Sequence, residues 1–317
     1  MQGKNCAMSG VKCAQYYSCQ FPAFVADLQA RFAEPWRARG KGATPDGGNG
    51  GNGSGIGGGG GGFSFLFVQL PSYVEDLSSM TYGGRNDSSL PLLRLAQAAA
   101  LALPRVGMAS LIDHGFIEGH YGSIHSMDKM PVANRLVLSA RAVAYNDGSG
   151  DHRVISSGPT VQLVKLLANQ SLRVEFKPET LSSEGLLLRT EGPVRQACAV
   201  GRNQTHAMHV LPMTPVPASQ CGALSGFELR VGGGGEWLPL GMPQLSADRR
   251  SVVLLAPAAM VTAGRPLPLL HRFGGGVSMQ LRYLWADWPV PTVYDARSFD
   301  GENGELPVPP FIANVTQ

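Results

Sequence analysis

Val106-Gly107-Met108-Ala109-Ser110-Leu111-Ile112-Asp113, followed after a short interval by Gly119-His120-Tyr121-Gly122-Ser123-Ile124-His125-Ser126-Met127-Asp128-Lys129, decides how the chain is read. The first run is apolar and ends in a carboxylate, as a strand buried on both faces of a parallel sheet does. The second is a polar loop rich in glycine. Beyond it Val132, Leu136, Ala140 and Val143 recur at helical spacing up to about Tyr145. Asp128 is placed to cap that helix, and Pro131 falls inside its first turn, where no amide hydrogen is needed. Strand, loop and helix in this order put His125 on the carboxyl side of a parallel sheet, where open α/β folds carry their sites. A histidine there is either a general base or a structural loop residue, and the loop by itself does not choose between them.

A wider set of residues carries a resemblance. Gly122-Ser123-Ile124-His125, Asp128-Lys129, Val132-Ala133, Arg135-Leu136, Ala140-Arg141-Ala142 and Ala144-Tyr145 resemble the histidine block of the sialate O-acetylesterases, members of the SGNH (GDSL-type) hydrolases. Ser126 and Met127 replace the proline and basic residue usual in that block and leave the histidine in place. The resemblance implies that His125 is the general base of a serine esterase that removes acetyl groups from sugar hydroxyls, with Ser123 among the groups near the substrate. The general SGNH pattern Asp-x-x-His would put an aspartate at Gly122. Orientation of the imidazole is then left to Asp113, to Asp128 or to a backbone carbonyl.

Further matches flank this block. Gln2-Gly3-Lys4-Asn5 resembles a family block that helps to build the oxyanion hole, which implies such a role for Gln2, Gly3 and Asn5, with Lys4 in place of a glutamate. Phe21, Phe24, Val25, Leu28 and Phe32 have helical spacing and match a core helix of the family. Phe63 to Leu70 matches one of its strands, and Leu90-Pro91-Leu92-Leu93-Arg94 with Gln97 keeps part of a helical signature whose Trp-His pair has become Leu95-Ala96. Near the end, Leu281-Arg282-Tyr283-Leu284-Trp285 with Trp288-Pro289, and Leu306-Pro307-Val308-Pro309-Pro310-Phe311-Ile312-Ala313, resemble two more family segments. The two tryptophans suit either a sugar platform or packing beneath a sheet.

The fold implied is α/β. Residues 1–150 are expected to be the C-terminal part of an SGNH-hydrolase domain, flavodoxin-like with three αβα layers, carrying a disordered glycine-rich insertion at 37–62. Residues 151–317 are expected to be a smaller all-β sandwich, with a loop insertion near 203–221. Short alternating segments support strands at about Thr160–Leu166, Leu172–Phe176, Leu186–Arg189, Phe227–Val231, Val252–Leu255 and Met279–Trp285. The glycine tract has no Gly-Lys-(Ser/Thr) ending and no G-x-G-x-x-G before a helix, so it does not read as a phosphate cradle.

Composition narrows the function classes. A net charge of +3 with 15% charged residues gives no basic stripe for nucleic acid. No apolar run reaches the ~20 residues needed to span a bilayer, and the first residues do not form a signal peptide. His114, His120 and His125 with Asp113, Glu118 and Asp128 are dense, but their spacing matches no metal-ligand ladder, so neither a metal nor another cofactor is expected. The five cysteines match no zinc pattern, and an odd count leaves one unpaired within the chain. N-x-(Ser/Thr) sequons at Asn52, Asn86, Asn169, Asn203 and Asn314 lean with the resemblance towards a secreted or lysosomal glycoprotein. The oligomeric state stays open.

No serine lies in a G-x-S-x-G turn, and the family's glycine-rich nucleophile block has no counterpart in the 317 residues. The expectation is therefore the second half of an esterase acting on O-acetylated sialic acid or a similar acetylated sugar, as a fragment or truncated form without its nucleophile. The rival is a non-catalytic carbohydrate-binding or scaffold protein derived from that family.

Overall fold

The computed structural model describes residues 11–40, 63–73, 89–115, 124–125, 128–145, 154–189, 225–255, 278–289, 291–296 and 305–316. Four of the proposed site residues, Gln2, Gly3, Asn5 and Ser123, lie outside them, as do the insertion near 203–221 and residues 41–62 of the glycine tract.

The first part pairs two parallel strands with helices on both faces. Helix α1 (Val11–Gly40) is longer than the 21–32 pattern predicts. It runs through Arg37-Ala38-Arg39-Gly40, where the insertion was expected to begin, because Arg and Ala are strong helix formers. Strand β1 (Phe65–Gln69) is followed by α2 (Ser89–Ala98), a 3-10 turn (Ala99–Ala102) and β2 (Val106–Ser110). The strands pair in register from Phe65 opposite Val106 to Gln69 opposite Ser110. Alternation along β1 sends Phe65 and Phe67 towards α1, where the Phe21 ring lies 6.1 and 5.0 Å from theirs. Val25, Ala100 and Val106 complete that cluster. Helix α3 (Met130–Val143) covers the other face. It approaches closely at Gly107, where a Cβ would lie 2.9 Å from both Leu66 Cδ2 and Ser139 Cβ, so glycine is required by contact. The Ser139 hydroxyl then donates to the Met108 carbonyl at 3.1 Å.

The second part is built from strands: β3 (Val161–Leu166), β4 (Leu172–Phe176), β5 (Leu186–Leu188), β6 (Phe227–Val231), β7 (Trp237–Pro239), β8 (Gln244–Leu245), β9 (Ser251–Leu254), β10 (Met279–Tyr283), β11 (Val293–Asp295), β12 (Leu306–Pro307) and β13 (Phe311–Thr316). One sheet has the order β7-β6-β10-β13-β3-β4-β9-β8, and the other β12-β11-β5. The larger is antiparallel except between β13 and β3. The first four residues of β13 pair with β10 and its last two with β3, so this strand joins the two halves of the larger sheet.

Period-two alternation accounts for the core. Leu172, Val174 and Phe176 of β4, Phe227 and Leu229 of β6, and Met279, Leu281 and Tyr283 of β10 are buried with Leu186, Val293 and Val308 from the smaller sheet and its flank. On the opposite face of β6 and β10, Glu228 opposes Arg282 and Arg230 opposes Gln280. Arg282 is nevertheless buried, paired to Glu228 at 2.8 and 3.0 Å and stacked on Trp237. Tyr283 ties the sheets together, its phenolic oxygen accepting from the amides of Thr292 and Val293 at 2.9 and 3.0 Å. Asn169 and Asn314, the asparagines of two sequons, are exposed, while Ser171 of the first is buried and bonded to the Asn169 side chain. Among the described residues no helix is long and apolar enough to cross a membrane.

Candidate active site

The carboxyl ends of β1 and β2 are cross-linked by polar side chains. Ser110 Oγ donates to Gln69 Oε1 at 2.6 Å, Gln69 Nε2 donates to the Arg94 carbonyl at 3.1 Å, and Ser72 Oγ donates to the Ile112 carbonyl at 2.6 Å. Gln97 accepts from the Leu70 amide and donates to the Val68 carbonyl. The bonds of Gln97 and Ser72 satisfy backbone groups of Val68, Leu70 and Ile112 that the sheet ladder leaves open.

Arg94 goes further. It is the one charged residue of α2 and is fully buried. Its guanidinium donates to four backbone carbonyls: Leu70 at 3.1 Å, Pro71 at 2.7 Å, Ala286 at 2.8 Å and Asp287 at 3.0 Å. Burial pushes its pKa down to about 10, against the field of Asp287, so it remains cationic at neutral pH. The Tyr73 backbone N–H also donates to the Asp287 carbonyl at 3.0 Å. A strap from the β-rich part, residues 285–289, is thereby fastened to the segment after β1.

Beyond β2, Asp113 meets Arg135 of α3 in a bidentate pair at 2.6 and 2.8 Å. Arg135 also donates to the Ser110 carbonyl at 2.6 Å and the Glu305 carbonyl at 2.9 Å, joining β2, α3 and β12. The Glu305 side chain is held in turn by Arg189, whose guanidinium lies over Tyr294. His114 Nε2 approaches Asp113 Oδ1 at 3.7 Å. Burial works against the charge on Asp113, but the positive charge and hydrogen bonds of Arg135, with a smaller effect from His114, hold the carboxyl below the usual range. Burial pushes the His114 imidazole below its ordinary value; Asp113 and Asp128 oppose this, and Arg135 adds to it.

A pH dependence of stability follows. Below about pH 6.5 the unfolded chain protonates His114 while the folded chain resists, so stability is expected to fall as pH drops from there towards the lowered folded value. Asp113 adds a second loss below about pH 4, where the unfolded carboxyl takes its proton first. Urea titrations of wild type and His114→Gln across this range check the assignment. The upper step should vanish in the variant; an upper step of equal size in both rejects it.

The loop to α3 carries the remaining residues. His125 is exposed and Ile124 half-buried. Asp128 Oδ1 accepts the Met130 amide at 3.0 Å, so this carboxylate secures the first amide of α3, with Lys129 as the cap residue and Pro131 in the first turn. The structure thus brings Asp113 together with His114 and Arg135, and sets Asp128 at the helix start. From the sequence His114 was weighed only as a member of a metal cluster, and the roles of Arg94 and Arg135 were not foreseen. Arg94 had a signal, a lone charged residue at a core position of an apolar helix.

Gly115 closes this edge. A Cβ there would lie 2.7 Å from Ser72 Cβ and from the Trp288 ring, and 2.8 Å from the Ser72 carbonyl oxygen. Gly115→Ala is expected to cost about 1–3 kcal/mol through overpacking, measured by chemical denaturation. A loss within about 0.5 kcal/mol, the range of an ordinary surface substitution, would show that the strap yields.

No protein-family model matches the chain. Among curated proteins, it is 26% identical over 307 residues to the sialate O-acetylesterase of Rattus norvegicus, covering 95% of this chain and 41% of that protein. It is 26% identical over 306 residues to the one of Homo sapiens, covering 95% and 43%. The chain therefore spans about two fifths of the length of the curated relatives it matches. Among solved structures, a carbohydrate acetylesterase from Xanthomonas citri aligns with a TM-score of 0.47 and 21% identity, covering 79% of this chain and 41% of that one.

Proposed function

Because the chain is related to the sialate O-acetylesterases along 95% of its length, we propose that it is the histidine-bearing part of a carbohydrate O-acetylesterase. We read the β1–β2 pair with α1–α3 as part of a three-layer SGNH domain, and residues 154–316 as the smaller β-sandwich beside it. The supporting observation is the placement of His125: exposed, in the loop between β2 and α3, at the end of a parallel pair whose Arg135–Asp113 bridge fastens α3 to the strand end.

In this reading a serine from sequence outside the 317 residues attacks the acetyl carbonyl, and His125 takes its proton. His125 returns that proton to the departing sugar oxygen, then activates the water that releases acetate and regenerates the serine. Asp113 has both oxygens on Arg135 and fits a structural role. Asp128, three residues from His125, is the better orienting carboxylate. Gln2, Gly3, Asn5 and Ser123 are kept as oxyanion or substrate contacts by resemblance. Cys13 is disulfide-bonded, which supports an oxidising, secretory compartment.

The test is hydrolysis of an aryl acetate and of an O-acetylated sialic acid by this chain and by a polypeptide extended upstream. Activity confined to the extended protein supports the reading. If the extended protein is inactive on both esters, the carbohydrate-binding alternative replaces it.

A further inference from the structure

We propose that Trp288 is a sugar-ring platform at the carboxyl ends of β1 and β2, taking the apolar face of the pyranose that carries the acetyl ester. The proposal rests on the carbohydrate reading of the site above. It starts from a comparison of the three tryptophans whose side chains are described. Trp237 is covered by two guanidinium groups, Arg230 at 4.5 Å and Arg282 at 4.2 Å from its ring centroid. Trp285 is 6% exposed and has Arg282 at 5.3 Å. Both rings are spoken for by the protein. Trp288 is half-buried and makes no ring or cation contact with another described residue.

Its position is set by the fold. Leu284, a buried leucine, adopts φ 56°, a conformation that β-carbon crowding disfavours, and there the chain turns out of β10 into the strap. Arg94 and Tyr73 then hold the Ala286 and Asp287 carbonyls, so the next residue has little freedom. The Trp288 ring rests on Gly115, one residue after His114, with Ser72 beside it. Backbone strain and a buried cation are thus both arranged around a strap that delivers one half-buried indole to the edge where open α/β sheets bind ligands. An indole offers a large apolar face at little conformational cost, and sugar C–H faces are apolar, which fits a site meant to orient a polar substrate.

The test uses binding alone. The intact chain is titrated with the methyl glycoside of N-acetylneuraminic acid, which has no O-acetyl ester to hydrolyse, following indole N–H resonances and the binding constant by NMR. Trp288→Ala is expected to weaken binding about tenfold, a change worth about 1.4 kcal/mol, while Trp288→Phe stays within about threefold and Trp237→Phe leaves binding unchanged. Near-UV circular dichroism and the thermal midpoint are recorded for each variant. Unchanged affinity in Trp288→Ala, absence of binding by wild type, or equal losses in Trp288→Ala and Trp288→Phe with a lowered midpoint in both would each overturn the proposal. Because no bond is broken in the assay, a chain that binds through Trp288 and never hydrolyses an ester keeps this inference while removing the esterase reading.

Discussion

Replacing His125 by alanine, in a polypeptide that also carries the nucleophile, is expected to lower kcat on an aryl acetate by about four orders of magnitude or more, with KM little changed. The size follows from what the residue would do. Without a base the serine must lose its proton to bulk water, and so must the water that later releases acetate. The prediction is clean because His125 is exposed. Its removal opens no cavity, so stability should stay within about 0.5 kcal/mol of wild type and the lost rate can be assigned to chemistry. A variant that keeps more than about a tenth of the rate would dismiss His125 as the base, since general base catalysis alone is worth at least about a hundredfold.

Arg94→Met is expected to cost about 3–5 kcal/mol of folding free energy, the range for taking one partner out of a buried charged network. Four backbone carbonyls, those of Leu70, Pro71, Ala286 and Asp287, would lose the Arg94 donor inside the protein, the last keeping its bond from the Tyr73 amide. Each buried polar group left unsatisfied costs about 1–3 kcal/mol, and the sum is reduced where local relaxation admits water. Arg94→Lys should recover only a minority of the loss, because a single ammonium lacks the planar fork that reaches carbonyls on two sides. Urea denaturation of the three proteins measures this. A loss below about 1 kcal/mol for Arg94→Met would mean that the strap is held mainly by the Tyr73 amide and by apolar packing.

These two residues were legible to different degrees. His125 stood out because a strand-like apolar run, a glycine-rich loop and a helical period surround it in one continuous segment. Local patterns of that kind are set by neighbours in sequence. Arg94 lay inside a segment quoted for its resemblance, but its partners are 23 to 193 residues away. Helical periodicity could say that position 94 faces inward; it could not say which carbonyls would be waiting. Asp113 shows the same limit. The sequence offered it beside Asp128 as a carboxylate to orient His125, and could not say that both its oxygens would meet Arg135, 22 residues away.

The short strands were found unevenly for a related reason. Segments with clear alternation, such as Leu172–Phe176 and Phe227–Val231, were legible because one face is apolar and the other is not. Trp237–Pro239, Val293–Asp295 and Leu306–Pro307 were missed, being too short for a period of two to show. Their hydrogen bonds exist only because longer strands, or each other, lie alongside.

The sequence by itself thus determined the local elements and the position of His125 between strand and helix, because apolar periodicity, glycine and the helix-starting residues act over a few neighbours. Only the tertiary structure decided that Arg94 fastens the 285–289 strap, that Arg135 holds both oxygens of Asp113, and that Trp288 rests on Gly115. Those outcomes depend on which buried groups find partners across long stretches of chain, and a polar group leaving water takes whichever complementary group the packing brings within reach.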